Sequence, residues 1–365
     1  MDSELHLLIL MMGRMAHHRL KRGGLAGRCP ALAGNGNGKH IGRVIAGQKR
    51  LLRAVPDEAR TSHGARQMNR HSHDPARDAP EPGSGVAVNI YRPQLQLQSY
   101  VTFFYFVEAD GPLSDFLYPE WGNVRFALRG DWHVAMPGFD NVAPQTAVLF
   151  GPTDRHGKIV TGGGKTVGFG LTPIGWHRLI GRNAGRMANR IAPLGDRLGI
   201  DGEVLRQQLQ RDGDDASSVA RFETLLIDLL GRRPPVSAPV LATDQALRTR
   251  PETTLDFARA AQVSERTLHR ICIDAFGFPP KRLMRLQRFL DTMGRVRTAV
   301  GEALGEAIDP AYFDQSHFYR DFRDFMVMTP RAYFGAPRPL MAAAASAQMR
   351  AGVPLSFKVP PPPVE

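Results

Sequence analysis

Arg266, His269 and Arg270 recur at i, i+3 and i+4 in the run SERTLHRICIDAFG, with Ile273 following at i+7. An arginine guanidinium can donate two parallel hydrogen bonds to a guanine edge, and an imidazole can donate or accept at a base edge. This row of side chains therefore has the chemistry of base reading in a major groove. Ser316, Tyr319, Arg320 and Arg323 form a second row in SHFYRDFRDF. His317 is a further base-edge candidate there, and Gln315 could either cap its helix or contact DNA. Arg323 and Lys281 suit phosphate contact, with an ordinary solvated charge as the equal alternative.

Such rows work only if helices hold them. In TLDFARAAQVSERTLHRICIDAFG, Leu255, Ala258, Ala261 and Val263 supply one apolar side, and Leu268, Ile271, Cys272 and Ala275 a second. Ser264 separates the two as a helix N-cap, because its hydroxyl can accept an amide hydrogen bond that the first turn leaves unpaired. Gly277 closes the second helix. Pro280 stands at a plausible first helical position of a segment reaching Arg297, whose Leu283, Leu286, Phe289, Leu290 and Met293 favour a helix. Then AVGEALGEAIDPAYFDQSHFYRDFRDF repeats the plan, with Phe318, Phe322 and Phe325 as the inward stripe. A joining helix on the order of 25 Å long could place two reading helices in successive major grooves, about 34 Å apart.

The stretch is similar to AraC-type transcription regulators. The resemblance rests on S-x-R-x-L-x-R at Ser264, Arg266, Leu268 and Arg270, and on G-F-P-P at Gly277 to Pro280. It continues in F-D-Q-S-H-F-Y-R-D-F from Phe313 to Phe322 and T-P-R-A-Y-F from Thr329 to Phe334. It implies an all-α double helix-turn-helix module over residues 241–335 that binds double-stranded DNA. Three positions depart from the family pattern: Cys272 stands where Phe is usual, and Ala311 and Val327 where Gly is usual. Cys272 would underfill the core, and Ala311 and Val327 would be strained wherever the backbone needs a positive φ.

The chain has 365 residues, enough for two domains with tails, and a formal charge of +12 that suits a polyanionic partner. Its two cysteines, Cys29 and Cys272, argue against a disulfide framework or a zinc site and fit a reducing cytoplasm. Residues 1–85 carry LHLLILMM and then a Gly, Arg, His, Asn and Pro mixture without a period, and are expected to be disordered. The apolar run is too short to span a membrane, and a true start at Met68 is the alternative to a translated extension. The pairs His17/His18 and His71/His73 read as solvated residues.

From Val86 to about Gly170, short apolar runs such as VAVNIY, YVTFFYFVEA, NVRFALRG, TAVLFGP and GKTVGFGL alternate with turn residues, predicting a barrel or sandwich able to enclose a small ligand. FLYPEWGNVRFAL (Phe116 to Leu128), GPTDRHG and GFGLTPIGWHRLIG resemble the amino-terminal sensory domain on one branch of the same family. Tyr118, Glu120, Trp121, Arg125 and Trp132 are the candidate ligand contacts, against the alternative of core packing or, for Arg125, a solvent-facing strand position. His133, His156 and His177 lack a metal-ligand arrangement, and GGGK at Gly162 to Lys165 reads as a hairpin turn rather than a phosphate loop.

Helices follow from about residue 173 to 231. The stripe Val219, Phe222, Leu225, Leu226, Leu229 and Leu230 suits either a dimer seam, which is slightly favoured, or packing on its own β domain. RRPPVSAP makes residues 232–240 a linker, and residues 336–365 are expected to be a disordered tail. The expectation is an α+β, two-domain protein of the cytoplasm: a β-rich sensor over 86–231 and an all-α reader, without catalytic residues, metal or cofactor. Its partners would be DNA, a small-molecule effector, a second copy, and RNA polymerase if it activates. The competing readings are a metal-dependent or ligand-binding β-barrel enzyme with a helical appendage, and a regulator that reads DNA with its first unit alone.

Overall fold

The computed structural model describes residues 85–138, 146–298, 312 and 315–353. The extension 1–84, the segment 299–311 with Ala311 and the expected first helix of the second unit, and the end beyond Val353 lie outside the described residues. The described part belongs to one compact unit.

Nine strands form its first half: β1 (Val86–Tyr91), β2 (Val101–Ala109), β3 (Leu113–Leu117), β4 (Asn123–Arg129), β5 (Trp132–Ala135), β6 (Ala147–Phe150), β7 (Gly157–Thr161), β8 (Gly164–Leu171) and β9 (Ile191–Pro193). One sheet has the order β1-β2-β8-β4-β6-β9 and the other β3-β7-β5, with every pairing antiparallel. Strands β3, β7 and β9 are additions to the sequence reading. The GGGK segment is a tight turn, but the hairpin expectation is corrected: it joins β7 of one sheet to β8 of the other, and the two strands do not pair. Gly164 has a φ of 130°, and a Cβ there would fall 2.0 Å from the Arg129 carbonyl oxygen.

Period-two alternation gives the larger sheet two buried faces. One carries Phe104, Phe106, Val124, Phe126, Val167 and Phe169. Two helices cover that face, α1 (Gly202–Arg211) and α2 (Asp215–Arg232), capped by Asp201 and Asp214 through backbone N–H groups of their first turns. Phe222 of α2 stacks on Phe104 with ring centroids 5.7 Å apart, and Leu226 and Leu229 are buried beside it. The slightly favoured dimer-seam reading is thereby corrected, because the amphipathic stripe is covered by its own sheet. The TPIGWHRLIG segment is helical, starting at a Thr172 cap and ending at Gly181 with a φ of 66°.

The helical half starts earlier than expected. Helix α3 (Ala238–Arg248) has Pro239 in its first turn and takes in the end of the predicted linker, leaving residues 234–237 as the connection. It is followed by α4 (Thr254–Ala260) and α5 (Glu265–Ile271), the latter extended by a π-helical turn Cys272–Phe276. Beyond these lie α6 (Pro280–Thr298), α7 (Gln315–Met326), α8 (Pro330–Gly335) and α9 (Pro339–Arg350). The first unit packs Phe257, Ala258, Ala261, Leu268, Ile271, Cys272 and Ala275 into one core. Leu255 corrects the sequence reading: it is 44% exposed, whereas Phe257 is fully buried.

Helix α9 replaces the disordered tail expected from 336 onward. Its Leu340 and Ala347 are buried against the β domain. The N-cap position, Arg338, makes no side-chain cap, and Asp115 of β3 supplies one from outside: its carboxylate accepts from the Met341 N–H at 2.9 Å. A carboxylate at a helix N-terminus satisfies an orphan donor and opposes the positive end of the helix dipole. Composition alone hides this helix, since its ordering depends on a residue some 220 positions away.

Candidate DNA interface and ligand cavity

Ser264 Oγ accepts the Thr267 N–H at 3.2 Å, starting α5, and Gly277 ends the helical run at a φ of 92°. With Leu268, Ile271 and Cys272 turned inward, Arg266, His269 and Arg270 are left exposed on one side. Ile273 differs from its expected outward place. It is half-buried against residues 183–185, and a Cβ on Gly185 would come within 2.7 Å of its Cγ2. Cys272 is fully buried, and burial pushes its thiol up to about 12, so it serves as an unreactive core residue.

In α7, Phe318, Phe322 and Phe325 are buried as expected, with Ser316, Arg320 and Arg323 exposed and Tyr319 half-buried. Gln315 begins the helix, and its side chain lies outside the described residues. His317 faces elsewhere: its Nε2 is 3.3 Å from an Arg288 nitrogen, and its ring meets Tyr312 edge-on. Lys281 is exposed in the first turn of α6. The rest of that surface of α6 is an ion-pair network that the sequence reading missed. Asp321, 1% exposed, accepts from Arg285, Arg288 and Tyr312. Arg282 pairs with Asp324 and, at 2.6 Å, with Asp154 of the β domain. Burial pushes the Asp324 carboxyl up, and Arg282 and Arg285 more than offset this, holding it below the ordinary carboxylate value. The signal was present in the sequence as arginines at i, i+3 and i+6 of one helix and aspartates at i and i+3 of another.

Val327 follows α7 with a φ of 51°, at the position where the resemblance implies Gly, and is 47% exposed. A β-branched residue pays sterically for that left-handed conformation. Val327→Gly is therefore expected to raise stability by about 1 kcal/mol, the order of the left-handed penalty. Denaturant unfolding of the two proteins measures this, and a variant no more stable than the parent contradicts it.

The larger sheet's second face looks into a cavity of about 230 Å³. Register builds its polar floor: Tyr105 pairs with Gly168 on β8, and Gly168 pairs with Arg125 on β4. Because Gly168 has no side chain, Tyr105 and Arg125 meet above it. A Cβ at Gly168 would lie 2.6 Å from the Tyr105 hydroxyl. Arg125 Nε donates to that hydroxyl at 3.0 Å, and the hydroxyl donates to Asn123 Oδ1 at 2.7 Å. Asn123 in turn approaches Glu120 at 3.5 Å. Burial pushes the Glu120 carboxyl up, against the opposing pull of Arg125 and Asn123.

All five candidate ligand residues line this cavity: Tyr118, Glu120, Trp121, Arg125 and Trp132. The solvent-facing alternative for Arg125 is corrected, since it is 7% exposed and stacks its guanidinium 4.6 Å from the Phe150 ring centre. Sequence reasoning missed Tyr105 and Asn123, and the wall that the helical half contributes through Leu290, Met293 and Leu340. Two of the lining residues also touch the reading units. The Trp121 ring lies 6.3 Å from Phe276 of the first, and the Tyr118 hydroxyl accepts from Tyr333 of the second at 2.7 Å. Among the described residues no group of three or more His, Cys, Asp or Glu could hold a metal ion, and no helix is long and apolar enough to cross a membrane.

Comparison with known proteins gives a match of residues 257–336 to the family described as a helix-turn-helix domain. No curated protein matches the chain. Among solved structures, the chain is similar to ToxT from Vibrio cholerae at 9% identity, with 69% of this chain and 98% of that one covered and a TM-score of 0.37. It is also similar to the AraC-like transcriptional activator CuxR at 12% identity, with 58% and 88% covered and a TM-score of 0.24. The exposed Arg266 row on a Ser264-capped helix thus belongs to a matched reading domain: residues 257–336 are an AraC-type helix-turn-helix domain, and the protein that carries it is a DNA-binding transcription regulator.

Proposed function

We propose that the β-rich domain senses a small molecule in its cavity and that occupancy sets how firmly the two reading units are held for DNA. One observation carries the reading: the same cavity wall includes Trp121, in contact with Phe276 of the first unit, and Tyr118, bonded to Tyr333 of the second. The α6 residues Leu290 and Met293 complete that wall, so an occupant touches the helix that spaces the readers. A ligand shifts such an arrangement only by binding one placement of the readers better than another, and a wall shared by both domains gives it that leverage.

In this reading Arg266, His269 and Arg270 contact base edges, as do Ser316, Tyr319 and Arg320, while Lys281 and Arg323 hold phosphates. His317, held by Arg288, positions α7 rather than reading a base. The protein acts in the cytoplasm and pairs with a second copy through a surface other than the buried stripe of α2. As an activator it would also meet RNA polymerase.

The test removes the two bridges. Trp121→Ala and Tyr118→Ala lie away from the exposed arginine row, yet each is expected to change specific-site affinity by about 0.5–2 kcal/mol, measured by DNA titration of folded protein. Unchanged affinity and unchanged site selectivity in both variants would refute the coupling.

A further inference from the structure

The exposed row of α5 runs into the β-rich half at Ile273. This residue follows Arg266 at i+7 and Arg270 at i+3, yet a loop of the β-rich half covers it. Ala184 of that loop is fully buried, and a Cβ on Gly185 would come 2.7 Å from Ile273 Cγ2 and 3.1 Å from its carbonyl oxygen. Asn183 fixes the loop at both ends. Its Oδ1 accepts the Arg186 N–H at 3.1 Å, starting a 3₁₀ turn over Ala184–Arg186, and its amide donates to Asp274 just beyond Ile273. The loop is therefore seated on the last turn of the reading helix.

The loop is also basic. Between Asp154 and Asp196 the chain carries seven Lys and Arg and no Asp or Glu, whereas over its whole length 35 acidic residues accompany 47 basic ones. Arg178 is spent inside the fold, donating to the Leu230 carbonyl at 2.9 Å. Arg182 and Arg186 are exposed, and among the described residues no carboxylate pairs with either. Asp274, the acid at that end of the helix, is held by Asn183 instead. Seven residues of helix span about 10 Å, close to the roughly 12 Å width of the major groove. A helix that sets Arg266 and Arg270 at base edges thus brings its Ile273 end to the phosphate wall of the groove, and the loop seated there arrives with it. We propose that Arg182 and Arg186 hold the DNA backbone beside the groove that α5 enters, so that the β-rich half itself forms part of the DNA interface. This rests on the reading of α5 as the helix in the groove and adds a contact that the helix-turn-helix domain does not contain.

Full-length protein is titrated over a range of salt on a fragment selected from genomic DNA and on random DNA, with phosphate-ethylation interference on the selected fragment. Arg182→Ala combined with Arg186→Ala should weaken both complexes by the same factor, about tenfold near physiological salt. It should also reduce the slope of log affinity against log salt by about two, since each phosphate contact contributes about 0.9. Ethylation of phosphates bordering the segment under α5 should interfere with the parent protein and not with this variant. Arg182→Lys combined with Arg186→Lys should keep most of the affinity, because a phosphate still accepts a point charge. Unchanged affinity and slope in the alanine variant overturn the proposal. A loss as large in the lysine variant does so too, since it would assign both residues to holding the loop. Tighter binding by the alanine variant would make the loop an obstruction to the groove and likewise overturns it. Arg266→Ala keeps the two readings apart. If it loses specific-site affinity while the alanine variant is unchanged, α5 reads DNA and the β-rich half stays off it. If it leaves specific binding intact, α5 is not the reader and the proposal falls with that reading.

Discussion

Arg266→Ala is expected to lose about 1–3 kcal/mol of affinity for a specific site while leaving random-DNA binding nearly unchanged. Arg266 lies in the first turn after the Ser264 cap and is exposed beside His269 and Arg270, so a groove that received this helix end would meet it first. Truncation removes a bidentate donor and disturbs no buried neighbour, which keeps folding out of the comparison. Equal loss on specific and random DNA would make Arg266 a phosphate contact instead.

The largest stability effect is expected at Phe322. Its fully buried ring touches Phe289 of α6, Phe318 on its own helix, and Tyr333 and Phe334 beyond it, at centroid distances of 5.7, 5.8, 5.8 and 6.0 Å. Phe322→Ala leaves a cavity at the junction of α6, α7 and α8, and a buried Phe→Ala change costs about 3–5 kcal/mol. Equilibrium unfolding should show that loss, and DNA protection should shrink at the second half-site before the first. A loss below about 1 kcal/mol would mean that the junction is not the packed core described, because large-to-small core changes seldom cost so little.

The elements legible in the sequence are those fixed by local chemistry. Ser264, Gly277 and Pro280 mark helix ends because each acts on the backbone within a turn of itself, and the Phe318, Phe322 and Phe325 stripe needs only helical spacing. Val327 belongs with them, since a resemblance implying Gly foretold its positive φ. What escaped depends on distant partners. The meeting of Tyr105 with Arg125 is created by the register of β2 and β4 on either side of Gly168. The α9 helix is Ala-rich and has no clear period, and is held by Asp115 and by the seats of Leu340 and Ala347. In α4, seven residues are too few to set the phase, and the buried position falls at Phe257 rather than Leu255. The Pro-rich linker suggested separate domains, yet Arg282–Asp154, Tyr333–Tyr118 and the hydrogen bond from the His156 N–H to the Phe325 carbonyl tie the helical half to the β-rich half. Only a contact map between the halves exposes those ties.

Whether both units read DNA is decided by hydroxyl-radical footprinting of the full-length protein on fragments selected from genomic DNA. Two protected segments per bound copy are expected on one face of the duplex, centred about one helical turn apart, on the order of 34 Å, with the Arg266→Ala variant losing the segment under α5. Protection spread evenly along the duplex, with no preference for selected over random fragments at low salt, would contradict this expectation.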